Sequence, residues 1–253
     1  MERNKNISVM KAPNTVSYTG ITKGTEYRIK NCTNNGYIFH NNFNNLHKAN
    51  INSGGSAFAG SIVGFASGKD ANNRMVITNC TSNPGSFTEA DANGLHLAPT
   101  AGTNFYSRRG VIAGVAGYAQ YTNITECATN IHILHGQQGY VGGIVGWVKT
   151  CTISKNKVEG TISTTDSTTL GTGGILGVDA AASVIEENIV NATITSNKTT
   201  PTGVLVGLVT NNNTCTLKNN KVAGTLSGAA ITLDSKMVGS GTHTIEGTTL
   251  YTE

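Results

Sequence analysis

Apolar and polar positions along this chain recur on a beat of about thirty residues, not on the 3.6-residue period of a helix. The clearest copy is Gly142-Gly143-Ile144-Val145-Gly146. It returns as Gly173-Gly174-Ile175-Leu176-Gly177 and Gly203-Val204-Leu205-Val206-Gly207, with looser copies at 113–117 and 60–64. Downstream of each pentad comes an aliphatic anchor, followed three residues later by Asn or Cys: Ile77 and Cys80, Ile124 and Cys127, Ile153 and Asn156, Ile185 and Asn188, Leu217 and Asn220. A third recurring position lies six residues further on, at Ser86, Ile133, Ile162, Ile194 and Leu226. One copy of the second half alone runs from Ile29 through Cys32 to Ile38. The closing glycines at 117, 146, 177 and 207 are spaced by 29, 31 and 30 residues.

A unit this short cannot bury its own apolar side, so the units must stack. They are rich in Val, Ile and Thr, with Gly and Asn between, which describes short strands and tight corners. The pattern predicts an all-β chain: a right-handed single-stranded parallel β-helix of about six coils, the hand following from parallel crossovers. Residues 1–253 form one domain on this reading. Residues 1–28 and 229–253 cap the ends, and coils fill 29–228 with insertions near 39–58 and 88–110. Ile62, Val115, Ile144, Ile175 and Leu205 are expected as one inward column, and the six anchors from Ile29 to Leu217 as a second. In the Cys32/Cys80/Cys127/Asn156/Asn188/Asn220 column, the Asn residues suit a ladder of side-chain amide hydrogen bonds, with Cys as a small filler.

Composition narrows the partners. Net charge is +4 with no Lys/Arg run, so a clustered nucleic-acid footprint is not expected. No apolar stretch approaches the roughly 20 residues of a membrane span. The first residues, Met1-Glu2-Arg3-Asn4, do not open a signal peptide. The five cysteines are read as buried filler without a disulfide, because Cys151 and Cys215 fall two coils apart, roughly 9–10 Å. The six histidines show no metal spacing, and neither a metal nor a cofactor is expected.

The pentad paired with Asn156-Lys-Val-Glu-Gly160-Thr-Ile162 and Asn220-Lys-Val-Ala-Gly224-Thr-Leu226 resembles the GLUG repeat of bacterial surface and secreted proteins. The likeness is clear over 110–228 and loose over 29–88, and Ala192 departs from it where Gly is usual. The resemblance implies an extracellular or cell-surface β-solenoid, adhesin-like, that binds or spaces, with no catalytic residue inside the repeat.

Three functions follow from different classes. The leading expectation is a non-enzymatic binding module for a glycan or a protein on another cell surface. Its contact residues would be Asn42, Phe43, Asn44, His47, Tyr106, Arg108 and Arg109 in the two insertions, which leave one corner of neighbouring coils. Long loops on a rigid scaffold concentrate function, and Arg pairs suit a carboxylate-bearing ligand. The second is a structural spacer within a larger secreted protein. The third is a lyase or glycosidase, for which the carboxylates Glu89/Asp91 or Glu186/Glu187 would be needed. Two surface arrays are weighed against blander readings. Thr161/Ser163, Thr193/Thr195 and Thr225/Ser227 resemble a flat ice-binding face but fit ordinary exposed strands. Phe65, Tyr118 and Trp147 after the pentads are read as core, with an outward sugar-stacking ladder as the alternative.

Overall fold

The computed structural model describes residues 27–35, 38–40, 58–83, 105–107, 110–135, 139–164, 170–197, 199–210 and 212–253. Among them there is no helix, and the strands stack as a parallel β-solenoid. The turn around the clearest pentad shows how. Gly139–Gly142 leads into the pentad and Val145–Lys149 trails it; Thr152–Ser154 carries the anchor, and the long strand Lys157–Thr164 closes the turn. Each pairs with its equivalents above and below, giving four sheets that we name the lead, trail, anchor and long faces. Among the described residues they hold 5, 6, 7 and 10 strands.

Among the described residues, every pairing between strands is parallel except one hairpin, Ala229–Ala230 against Lys221–Leu226. Corners thus belong to short segments inside a turn, and side chains of one type fall into columns along the axis. The anchors stack in register from Ile29 through Ile77, Ile124, Ile153 and Ile185 to Leu217. From Ile77 to Leu217 all are fully buried, as are Val115, Ile144, Ile175 and Leu205 in the pentad column. Both columns point inward as their aliphatic constancy predicts.

The corner between anchor and long faces needs a left-handed residue in every turn. Asn31, Asn79, Glu126, Lys155, Glu187 and Asn219 all take φ between 50° and 57°, directly before the Cys/Asn column. Such a conformation costs an L-residue roughly 1–2 kcal/mol. The next residue compensates. Asn188 shows the full set: its Oδ1 accepts from the N–H (3.0 Å) and Nδ2 (2.9 Å) of Asn156, and its Nδ2 donates to Asn220 Oδ1 (3.1 Å) and the Ile153 carbonyl (2.9 Å). The ladder reaches Cys127, whose N–H donates to Asn156 Oδ1 at 2.9 Å. The expected amide ladder is therefore present.

Three details differ from the sequence expectation. The regular turns number about four rather than six, spanning 110–135, 139–164, 171–195 and 202–226; before them stands a turn with a split long face, and partial turns flank the stack. The strand place expected for Ser86, which lies outside the described residues, is held by another residue in backbone register. Phe105 occupies that place, in register between Ile38 and Ile133. Six residues past Cys80 falls in sequence between Thr81–Ser82 and Phe105–Ser107, outside the described residues. Finally, the segment expected as a C-terminal cap continues the solenoid. Val238–Ser240, Thr242–Glu246 and Thr249–Leu250 add strands to the trail, anchor and long faces. Met237 follows Leu205 in the pentad stack, so 235–239 is a further pentad, disguised by Ser235 and Lys236 in place of glycine.

Candidate functional site

The excursions come first, since they carried the candidate contacts. Asn42, Phe43, Asn44, His47, Arg108 and Arg109 lie outside the described residues, as do Glu89 and Asp91. Tyr106 is placed by its backbone on the long face, in register between Phe39 and Leu134. The three segments Ile38–His40, Phe105–Ser107 and 133–135 form one pairing block. The stretch 41–57 therefore departs from the strand adjoining Tyr106, and Arg108 and Arg109 directly follow that strand. The two insertions do not leave the same corner, however. The first leaves at the end of the long face, whereas 84–104 interrupts that face midway. The misplaced column at Ser86 accounts for the difference.

The aromatic column resolves into a third arrangement, neither main core nor open ladder. Phe65, Tyr118, Trp147, Val178 and Leu208 are in register along the trail face. Val145 and Val148 join the main core, whereas Trp147 joins a separate small cluster with Val111, Tyr140, Val178 and Phe58. This cluster fills the angle where lead and trail faces fold back on each other. Glycine makes that approach possible: a Cβ on Gly177 would sit 2.7 Å from Val141 N and 3.0 Å from Tyr140 Cβ, on the preceding lead strand. The Phe65 and Tyr118 rings stack at 4.7 Å with 3° between planes, and Trp147 meets Tyr118 edge-on at 6.0 Å. At the strand spacing, parallel rings turn their faces toward each other along the axis. A sugar platform needs ring faces turned outward, so this ladder is not built for one.

The Thr array is similarly cut short. Thr161, Thr193 and Thr225 align, as do Ser163 and Thr195, but Ser227 leaves the strand at φ 51° and Thr225 pairs with Ala230 in the antiparallel hairpin. Two complete rows remain. Glu187 occupies an exposed left-handed corner 3.8 Å from Lys155, and Glu186 is only partly buried, in register between Ser154 and Lys218. Such solvated groups lack the facing geometry of a carboxylate pair.

Two buried polar groups escaped sequence reasoning or were only partly read. Asp179 stands in the Val148/Val209 column, fully buried. Its carboxylate accepts from Ser183 N–H (2.9 Å), Ser183 Oγ (3.0 Å) and Ala181 N–H (3.2 Å), while Ser183 Oγ accepts from Cys151 N–H (3.1 Å). That set anchors a corner and leaves no outward acid. All five cysteines are free. Burial pushes the Cys127 and Cys151 thiols up to about 12, and that of Cys215 upward too. A thiol held neutral is a poor nucleophile and metal ligand. Among the described residues no three His, Cys, Asp or Glu side chains gather as a metal site, and no helix is long and apolar enough to cross a membrane.

Comparison with protein families, curated proteins and solved structures finds no match.

Proposed function

We propose that this protein is a non-enzymatic β-solenoid binding module of the GLUG-like kind, acting at a bacterial cell surface or outside the cell, that holds a glycan or a protein of another surface. The observation that supports it is the pairing block of Ile38–His40 with Phe105–Ser107. It pairs the strand that precedes the 41–57 stretch in sequence with the strand that carries Tyr106 and precedes Arg108-Arg109 in sequence. Recognition groups on long connections braced by a stacked sheet are a usual form of a binding site. A carboxylate-bearing ligand, such as an acidic sugar, would use the guanidinium pair.

The test is a glycan array and whole-cell binding, with wild type beside Arg108→Ala/Arg109→Ala and Tyr106→Ala variants. Loss of binding by about tenfold or more with an unchanged melting curve supports the site. Unchanged binding moves the site elsewhere. Release of reducing ends from a bound glycan would replace the reading with that of a carbohydrate-active enzyme.

A further inference from the structure

The column that carries the amide ladder changes chemistry halfway along the axis. Asn156, Asn188 and Asn220 occupy it in three successive turns, and Cys127, Cys80 and Cys32 in the turns before them. The pairs Lys30–Thr78 and Thr33–Thr81 bracket Cys32 and Cys80, while Thr78–Thr125 and Thr81–Ala128 bracket Cys80 and Cys127. Each cysteine therefore stands in register with the next. In the Asn half, Asn156 Nδ2 donates to the carbonyl of Ile124, the anchor one turn back, at 3.0 Å. The thiols take the same path on longer contacts: Cys127 Sγ lies 4.0 Å from the Ile77 carbonyl, and Cys80 Sγ 3.9 Å from that of Ile29. All three are free, Cys32 half-buried and Cys80 and Cys127 buried.

We infer that Cys32 and Cys80 form a reversible oxidation site, at which a low-molecular-weight disulfide such as oxidised glutathione converts the two thiols into a bridge between turns. In-register parallel neighbours lie ~4.8 Å apart at Cα, inside the ~4.4–6.8 Å that a disulfide spans. Their Cβ atoms, at the same spacing, must close to ~3.8 Å. Such a bridge is strained and easily reduced, which suits a labile disulfide and not a structural one. The corner is free to make this movement because no amide staples it. Asn156 Oδ1 holds the backbone N–H of Cys127 at 2.9 Å, and a thiol in the same place is too weak an acceptor to hold the turn before it. Cys32, as its thiolate, attacks one sulfur of the small disulfide, breaking the S–S bond and expelling a thiolate that takes up a proton. Cys80 then gives its proton to solvent and attacks Cys32 Sγ, forming the bridge and expelling the second thiolate. Two electrons pass from the cysteines to the small disulfide, which leaves as two thiols. The bridge encloses the stretch 41–57 in a covalent loop. Cys151 and Cys215 have no such option, because Ser183 stands between them.

The test equilibrates the reduced full chain in glutathione buffers of rising oxidised fraction, quenches with acid, alkylates the free thiols and maps the digest by mass. Trypsin leaves Cys32, Cys80 and Cys127 on separate peptides, so the bridged pair is identified directly. A linked Cys32–Cys80 pair is expected, with unchanged circular dichroism, and is lost again on return to reducing buffer. Cys80→Ser should halt the reaction at a mixed disulfide of glutathione on Cys32. Cys32→Ser should slow oxidation of Cys80 about tenfold or more, because the remaining thiols are buried. A bridge between Cys80 and Cys127 that leaves Cys32 free overturns the inference. So does a chain that stays reduced in fully oxidised glutathione, or one that forms the bridge only in denaturant.

Discussion

Asn188 shows how much of this fold rests on one side chain per turn. It satisfies two donors of Asn156 and donates to Asn220 and Ile153. Asn188→Ala would strand these groups in a site with no access for water and leave a small void. Denaturant unfolding should register a loss of about 3–5 kcal/mol, and a loss below about 1 kcal/mol would mean that the ladder is decorative. Cysteine enters the same column under a different rule. Cys127 stays neutral because burial, its largest influence, raises its pKa from 9.0 to about 12. Since the folded value lies above the unfolded one, the stability linked to this thiol is intact below pH 9 and drains away as pH rises toward 12. Cys151 and Cys215 shift the same way. Chemical denaturation between pH 8 and pH 11 should therefore show falling stability that a Cys127→Ala variant loses less steeply, while a thiol reductant at pH 7 leaves the midpoint unchanged. The Asn ladder was legible because amides at fixed spacing have few other uses. Asp179 was not, because its partners Ser183 and Ala181 mark a corner found in one turn only, and no column predicts it.

At the level of elements, the pentad governs how two faces can meet. Trp147 was ambiguous in the sequence because the trail strand does not alternate: Val145 and Val148 face the main core, and Gly146 and Trp147 face away. A period-two rule fails at such a kink. The closing glycine explains it, since Gly177 approaches the backbone of Val141 too closely for any side chain. Gly177→Val should destabilise the protein by about 3 kcal/mol or more by prising the faces apart, seen as a lower melting temperature together with increased Trp147 solvent exposure in fluorescence. Unaltered emission would separate the glycine from the aromatic cluster. The anchor strands were readable for the opposite reason: Ile124, Ile153 and Ile185 repeat without exception. The long face misled at Ser86, because Thr81–Ser82 pairs with the start of Ala128–His135 and Phe105–Ser107 with its end, so residue counting from Cys80 lost its register.

For the whole molecule, what matters is that all turns are joined the same way. Parallel pairing directs almost every inter-turn hydrogen bond along one axis, and each turn pairs strands only with its neighbours, with side chains such as Arg74, which donates to the Thr150 carbonyl at 3.1 Å, reaching one turn further. Tension applied between the chain termini therefore loads these interfaces one after another instead of sharing the load among them. Pulled in an optical trap, the solenoid should yield as a zipper, starting from an end turn whose inner residues are half exposed, such as that of Ile245 and Leu250. A turn of about 30 residues frees ~100 Å of chain at ~3.5 Å per residue, so the record should show a train of nearly equal steps. The turn between Gly64 and Gly117, 53 residues long, should stand out with a step of ~180 Å. A single all-at-once rupture would contradict this picture. A solenoid built this way would give ground by increments under shear, releasing tether while the remaining turns keep hold.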